Sequence, residues 1–167
     1  MAIRGSRVFI FFILLLYLGY LGEKDVQINT FKKAAYKGNT YAERRLMYDY
    51  GEILDETDLN NLGWMFYEQQ DYANALEYYK KAAHKGSGTA QYSIGMMFKN
   101  GKGVNVKSWW LAYFWFYLAH LNGKEEAKKE IDYIEGVGLF SKRQLSIDET
   151  ERIKQRAQEM YSKQKKR

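Results

Sequence analysis

The chain has 167 residues, enough for one domain with a core of ordinary size, and a net charge of +6. It contains no cysteine, which excludes disulfide bonds, thiolate metal sites and a cysteine nucleophile. It also contains no proline, a residue that breaks helix interiors, so the composition favours an all-helical fold.

The excess positive charge lies at the two ends of the chain. Residues 1–22 contain two arginines and no acidic residue, and residues 163–167 contain four basic residues. The remaining residues, 23–162, hold 20 basic and 20 acidic residues and are therefore neutral. Because a nucleic-acid-binding surface needs basic residues clustered on the fold, we expect no nucleic-acid partner.

The first predicted element is an apolar segment, Val8–Gly22, that follows Arg4 and Arg7. A short basic stretch before an apolar run of this length is typical of an export signal, although a spanning helix usually needs about 17–25 residues. We interpret residues 1–22 as a signal peptide or a retained membrane anchor, with a buried core helix as the alternative. A lipoprotein is excluded because its acylated cysteine is absent.

The cleavage site is poor, since Tyr17 and Tyr20 occupy positions where small residues are expected. Both export interpretations nevertheless imply the same orientation, because basic residues stay on the cytoplasmic side. We therefore expect residues 23–167 in the periplasm, either soluble after cleavage or tethered to the inner membrane.

One phrase recurs three times along the rest of the chain. A glycine is followed four residues later by alanine, and four residues after that by a large aliphatic residue. The three copies are Gly38-x3-Ala42-x3-Leu46, Gly86-x3-Ala90-x3-Ile94 and Gly123-x3-Ala127-x3-Ile131. Such self-similarity is typical of a repeat protein, which more often builds a binding surface than a catalytic pocket.

Residues 59–86 and 90–123 each predict a helical hairpin. In the first, Leu59, Leu62, Gly63 and Phe66 share one helix face, Asp71 is a natural N-cap for the second helix, and Gly86 ends it. Small residues such as Gly63 and Ala82 are expected where the two helices approach closely.

The second hairpin repeats this pattern around a longer turn, residues 100–104. Its second helix holds the aromatic cluster of residues 109–117, which is too apolar for one face and predicts neighbours on more than one side, or contact with a membrane or partner.

The flanking segments predict incomplete units. Residues 27–38 resemble a second helix without its first, Tyr41–Leu54 a first helix without its second, and residues 127–135 a first helix alone. Residues 136–145 predict a connector. Ser146 and Glu149 predict a capping box that starts a polar helix to about residue 163, which caps the array, and residues 163–167 predict a frayed basic tail.

The second hairpin resembles the Sel1-like repeat, a relative of the tetratricopeptide repeat. Its pattern, Ala-x3-Leu-Gly-x2-Tyr, Gly-x-Gly-Val and Ala-x2-Trp-Tyr-x2-Ala-Ala-x2-Gly, matches residues 90–123 with Ile94 for leucine and Phe98 for tyrosine. The resemblance implies an α/α superhelix, with residues 26–136 as the repeat array and residues 137–167 as a capping helix with a basic tail.

The resemblance also implies a binding surface on the inner face of that superhelix. Side chains two before, two after and five after the motif leucine line this face in such arrays. In this sequence they are Arg44, Tyr48, Asn60, Trp64, Tyr67, Tyr92, Met96 and Lys99. Their aromatic, methionine and polar composition is that of a protein-recognition surface, although Trp64 and Met96 could instead pack between neighbouring helices.

No catalytic constellation is evident, and we expect neither a cofactor nor a metal. His84 and His120 lie beside repeat glycines, where surface or core roles are the simpler interpretation. We expect a non-catalytic interaction protein of the bacterial envelope that binds a protein partner. Some exported Sel1-like proteins are immunity proteins against secreted phospholipase effectors, so a toxin is one candidate partner. The alternatives are a membrane-anchored adaptor for envelope assembly or signalling, a cell-wall glycan-binding or hydrolytic protein, and a cytoplasmic adaptor.

Overall fold

The chain is all-α, as predicted. The structure is a computed structural model that describes residues 3–50, 53–137 and 143–166, without the side chains of residues 3–16, Thr40 and Met47. Within these ranges the chain forms eight helices and no strand. They are α1 (Ile3–Ala35), α2 (Thr40–Tyr50), α3 (Glu56–Glu68), α4 (Tyr72–His84), α5 (Gly88–Asn100), α6 (Trp109–Leu121), α7 (Ala127–Glu135) and α8 (Ile147–Lys165). They form two compact units, Met1–Ile53 and Leu54–Arg167.

The first unit is the pair of α1 and α2. Helix α2 folds back along the second half of α1, so that Tyr50, its last residue, returns to the middle of α1. The Tyr50 hydroxyl donates a hydrogen bond to Gln27 at 3.0 Å, and its ring lies 6.2 Å from that of Phe31. Ile28 and Leu46 are buried here. As predicted, α2 is not followed by a second helix of the repeat type before α3 begins.

Helix α1 is continuous across the predicted boundary at Gly22. Residues 23–25 are helical, and the predicted apolar segment and the repeat-like residues 27–35 belong to one helix. Among the residues that the structure describes, no helix has both the length and the apolar character needed to cross a membrane. Most of the side chains on which the export prediction depends, those of residues 3–16, lie outside the described part.

The three repeat glycines form the same helix-ending turn. Each has a left-handed backbone conformation, with φ of 82° at Gly38, 96° at Gly86 and 85° at Gly123. In each turn the glycine N–H and the next N–H bond back to two carbonyls of the preceding helix, at 2.7 to 3.1 Å, which is a Schellman motif. Glycine is required because side chains disfavour positive φ.

The residue after each glycine decides how the next helix begins. Asn39 and Ser87 accept hydrogen bonds from the N–H groups of Ala42 and Ala90, so these side chains act as N-caps. The third copy has Lys124 there, and α7 begins later, at Ala127, without a capping side chain. The repeated sequence motif thus forms one kind of turn, which connects two consecutive helices, and in its third copy the N-cap side chain is missing.

Two close contacts between a glycine and an aromatic ring set the spacing of the two hairpins. A Cβ atom on Gly63 of α3 would lie 2.6 Å from the Tyr79 ring of α4. A Cβ atom on Gly95 of α5 would lie 2.6 Å from the Phe116 ring of α6. The predicted close approach at Gly63 is confirmed, and its partner is the Tyr79 ring. Burial raises the pKa of the Tyr79 hydroxyl to about 12.

Helix α6 is the centre of the second unit. It packs against α5, α7 and α8, which explains how a helix this apolar avoids water on nearly all sides. Its Tyr113 and Phe116 are fully buried and join Ile131 of α7 and Ile153 of α8 in one core cluster. Core packing therefore accounts for much of the predicted aromatic cluster.

The C-terminal helix, α8, packs against α6, and hydrogen bonds hold its last turn to the rest of the second unit. The capping box of Ser146 and Glu149 is present as predicted. At the other end, the Gln164 amide donates to the Ala83 carbonyl at 2.7 Å, and Asn122 donates to Gln164 at 3.3 Å. Asn122 also donates to the buried Gln91 at 3.1 Å. The prediction of a frayed tail from residue 163 is wrong at Gln164, because these bonds hold the helix to Lys165.

A half-buried carboxylate, Glu135, joins three helices. The Tyr113 hydroxyl of α6 donates a hydrogen bond to it, and Lys154 of α8 lies 3.2 Å from the same oxygen. Burial acts to raise the pKa of Glu135, but the Tyr113 hydroxyl and the Lys154 ammonium together lower it below its usual value. Burial and the bond to Glu135 also raise the pKa of Tyr113.

We expect Gly95→Ala to destabilise the second unit by about 1–3 kcal/mol, because the new methyl group overlaps the Phe116 ring. Thermal unfolding followed by circular dichroism measures this effect. The control is Gly22→Ala in α1, where nothing lies within 4 Å of the added atom. Equal unfolding midpoints for the two variants would contradict the close-contact interpretation.

We expect Glu135→Gln to cost about 1–3 kcal/mol at neutral pH, because a charge-assisted network is lost. A lowered pKa in the folded state contributes stability above the unfolded pKa, near 4.3, and this is lost as pH falls through the folded value. The difference between wild type and variant should therefore shrink below about pH 4. Urea unfolding from pH 3 to 7 measures it, with the exposed Glu159→Gln as control; a pH-independent difference would refute the assignment.

Candidate protein-binding surface

Three of the predicted binding residues form a stripe along α3. Asn60, Trp64 and Tyr67 are spaced at i, i+4 and i+7, which places them on one side of the helix. Trp64 is 59% exposed, which is unusual for the largest apolar side chain. The Oδ1 atom of Asn60 is buried and has no hydrogen-bond partner in the described part of the chain. We call these three residues the α3 stripe.

The distal end of the α3 stripe is occupied by a lysine of the chain itself. Lys102, in the turn between α5 and α6, donates a hydrogen bond to the Tyr67 hydroxyl at 3.0 Å. Its ammonium lies 4.8 Å from the centre of the Tyr67 ring and 5.1 Å from that of Tyr72. Hydrogen bonds with the two tyrosines raise the pKa of Lys102, so its positive charge is secure at neutral pH.

The equivalent stripe on α5 is packed against the rest of the unit. Tyr92 lies 5.5 Å from the Phe116 ring, and Met96 packs against the core cluster. Lys99 forms an ion pair with Glu130 of α7 at 2.6 Å. Burial, and then the charge of Glu130, raise the pKa of Tyr92. These three residues, Tyr92, Met96 and Lys99, form the α5 stripe.

The alternative that Trp64 and Met96 pack between neighbouring helices holds for one of the two stripes. Met96 is a packing residue, as that alternative proposes, whereas Trp64 at the equivalent position of α3 projects into solvent. The open part of the predicted surface in the second unit is therefore the α3 stripe around Trp64.

The remaining two predicted residues lie in the first unit. Arg44 and Tyr48 are one turn apart on α2, and both are exposed, with Tyr48 at 90%. The structure thus brings the predicted set together as three local groups, on α2, α3 and α5.

The histidines lie near helix ends, as predicted. His84 is the last residue of α4, and its Nδ1 atom lies 2.6 Å from the Lys80 carbonyl. His120 is in the last turn of α6, with Nδ1 buried and 4.0 Å from Glu125. Across residues 3–50, 53–137 and 143–166, no group of three histidine or acidic side chains could hold a metal ion.

Charge is segregated along the second unit, a feature that the sequence analysis missed. Residues 54–79 contain six acidic residues and no lysine or arginine, whereas residues 80–124 contain seven lysines and no acidic residue. The zero sum over residues 23–162 conceals this segregation, and counting charge over windows of about one helix would have found it. The α3 stripe therefore lies in a locally acidic part of the chain.

Comparison with protein families and with curated proteins adds no relative. No protein family matches the chain, and no curated protein does either.

We expect Trp64→Ala to leave stability within about 0.5 kcal/mol of wild type, because the ring is mostly in water. Tyr92→Ala should cost about 1–3 kcal/mol, since its ring packs on Phe116. Urea unfolding measures the loss of stability in each variant and so distinguishes the exposed α3 stripe from the packed α5 stripe. A large loss of stability in Trp64→Ala would make Trp64 a packing residue and remove it from the candidate surface.

Proposed function

We propose that the protein is a non-catalytic interaction module that binds a protein partner through the α3 stripe. The observation that carries this proposal is Trp64, an exposed ring flanked by Asn60 and Tyr67 on one helix face. Tryptophan and tyrosine are among the residues that contribute most to protein–protein affinity. Two aromatics on one stable helix offer contact area without ordering a loop.

The hairpins support an array built by repetition. The turns at Gly38, Gly86 and Gly123 have the same hydrogen bonds, and the contacts at Gly63 and Gly95 repeat between the two hairpins. We propose that the two hairpins belong to a Sel1-like superhelix whose inner face includes the α3 and α5 groups. The support for the family itself is the sequence pattern of residues 90–123.

We place this module in the bacterial envelope, in the periplasm. Support comes from Arg4, Arg7 and the apolar run Val8–Gly22, which are typical of a cleaved signal or a retained anchor. The narrower proposal is an immunity protein against a secreted phospholipase effector, supported by the Sel1-like resemblance alone. A membrane-anchored adaptor in envelope assembly or signalling is the alternative within the same class.

A glycan-binding role is the second candidate, because an exposed tryptophan beside an asparagine suits a sugar ring as well as a protein. Both roles use Trp64, so they differ in what is captured. A cell-wall ligand would be retained on isolated peptidoglycan, whereas a protein partner would co-purify in a fixed ratio.

The test is affinity purification of the tagged full-length chain from solubilised envelopes, with bound proteins identified and quantified by mass spectrometry. We expect one partner in a fixed ratio, reduced at least about tenfold by Trp64→Ala, a loss typical of an interface hot spot. The control is Val106→Ala, a similarly exposed apolar side chain in the turn before α6.

Each outcome decides between the candidates. Capture that is unchanged by Trp64→Ala would move the surface away from the α3 stripe. Recovery on peptidoglycan without a protein partner would replace the interaction role with glycan binding.

A further inference from the structure

We propose that the partner segment that binds the α3 stripe is positively charged and places an arginine or lysine on the Trp64 ring, beside Glu68. This inference rests on the proposed function and adds the chemistry of the partner. It follows from the position of Glu68, from the absence of an ion pair at Glu56 and Glu68 in the described residues, and from the contact that Lys102 makes with Tyr67.

Glu68 is the carboxylate nearest Trp64 along the helix. The two residues are four apart, so their side chains lie on the same side of α3, about 6 Å apart along its axis. Glu56, in the first turn of α3, adds a second carboxylate about 12 Å before Trp64. Both glutamates are exposed, so a bound segment could reach either of them.

Other acidic residues of this region are already used within the fold. Asp55 and Asp71 accept hydrogen bonds at the starts of α3 and α4, and Glu77 is paired with Lys81 at 2.7 Å. Within the described part of the chain, Glu56 and Glu68 have no such ion pair. Two exposed carboxylates that have no ion pair in the described residues, Glu56 and Glu68, therefore lie on the helix that also exposes Trp64.

The chain itself shows that this stripe accepts a cation. Lys102 approaches from another element and places its ammonium against Tyr67, the residue three positions after Trp64. The indole ring attracts cations more strongly than a phenol ring does, and an arginine plane can stack on it. Trp64 with Glu68 thus offers an incoming cation both a ring face and a carboxylate.

The charge pattern disfavours an apolar partner face. An apolar helix laid along the stripe would bring Glu68 toward an interface without compensation, which costs binding free energy. A basic segment gains from the same carboxylate and is attracted from a distance by the acidic residues of 54–79. Its association should therefore weaken as salt rises.

The test uses the full-length protein and a synthetic hexa-arginine peptide, with hexa-glutamate as the opposite-charge control, by isothermal titration calorimetry at low and moderate salt. We expect hexa-arginine to bind at the α3 stripe, whereas binding of hexa-glutamate to the lysines of residues 80–124 should be unchanged by Trp64→Ala and Glu68→Gln. Trp64→Ala and Glu68→Gln should each weaken hexa-arginine binding by about two- to fivefold. Glu77→Gln, which removes the same charge from α4, should weaken binding less than Glu68→Gln does, and only through the change in net charge.

Reversing one charge, at Glu68 or at Glu77, distinguishes binding at the α3 stripe from general electrostatic attraction. Glu68→Lys should abolish hexa-arginine binding at low salt, whereas Glu77→Lys should reduce it only through the change in net charge. If both reversed variants lose the same amount, the binding is diffuse attraction and the inference is overturned. Equal binding by Trp64→Ala and wild type would overturn it as well.

Two further outcomes separate this inference from the proposed function. If the envelope partner depends on Trp64 but is insensitive to salt and to Glu68→Lys, the interaction role stands and the basic partner is wrong. If sedimentation at low salt shows dimers that Glu68→Lys disrupts, the occupant is the basic surface of a second copy, and the inference is also wrong.

Discussion

The hairpins of the second unit depend on a glycine pressed against an aromatic ring. At Gly63 and Gly95 the space that a methyl group would need is taken by Tyr79 and Phe116. Because the rings occupy that space, the helix axes come close and the flanking apolar residues become buried. The same pairing of a glycine with an aromatic ring occurs in both hairpins, although their turns differ in length. Local spacing is therefore set by this contact and not by the connecting turn.

Contacts with neighbouring elements explain why the α3 stripe is open and the α5 stripe is closed. Glu130 of α7 forms an ion pair with Lys99, so the α5 stripe is joined to a neighbouring helix. On the α3 stripe Lys102 contacts Tyr67, whereas Trp64 remains exposed to solvent. An identical position in a repeat can thus be part of the core in one copy and part of a binding surface in the next. The side chains supplied by the following element decide which occurs.

Sequence alone predicted what depends on local chemistry. The turns at Gly86 and Ser146 and the helix start at Asp71 were predictable, because positive φ and unpaired N–H groups each demand a few residue types. The packing of Met96 and the anchoring of Gln164 were not, since both depend on elements distant in the chain. The terminal lysines indicated a solvated tail. Gln164 is held in place because the Ala83 carbonyl, distant in sequence, accepts a hydrogen bond from its side-chain amide. The charges of residues 23–162 sum to zero, which concealed the acidic stretch of residues 54–79.

The uninterrupted course of α1 has a geometric consequence for the first unit. A helix rotates by about 100° and rises by about 1.5 Å with each residue, and no break between Gly22 and Gln27 absorbs a change. One residue inserted there would turn the face that contacts α2 by about 100° relative to the apolar run. Seven inserted residues would nearly restore its direction. Helical phase, set by the count of residues in this short stretch, therefore determines which way α2 faces around the axis of the apolar segment.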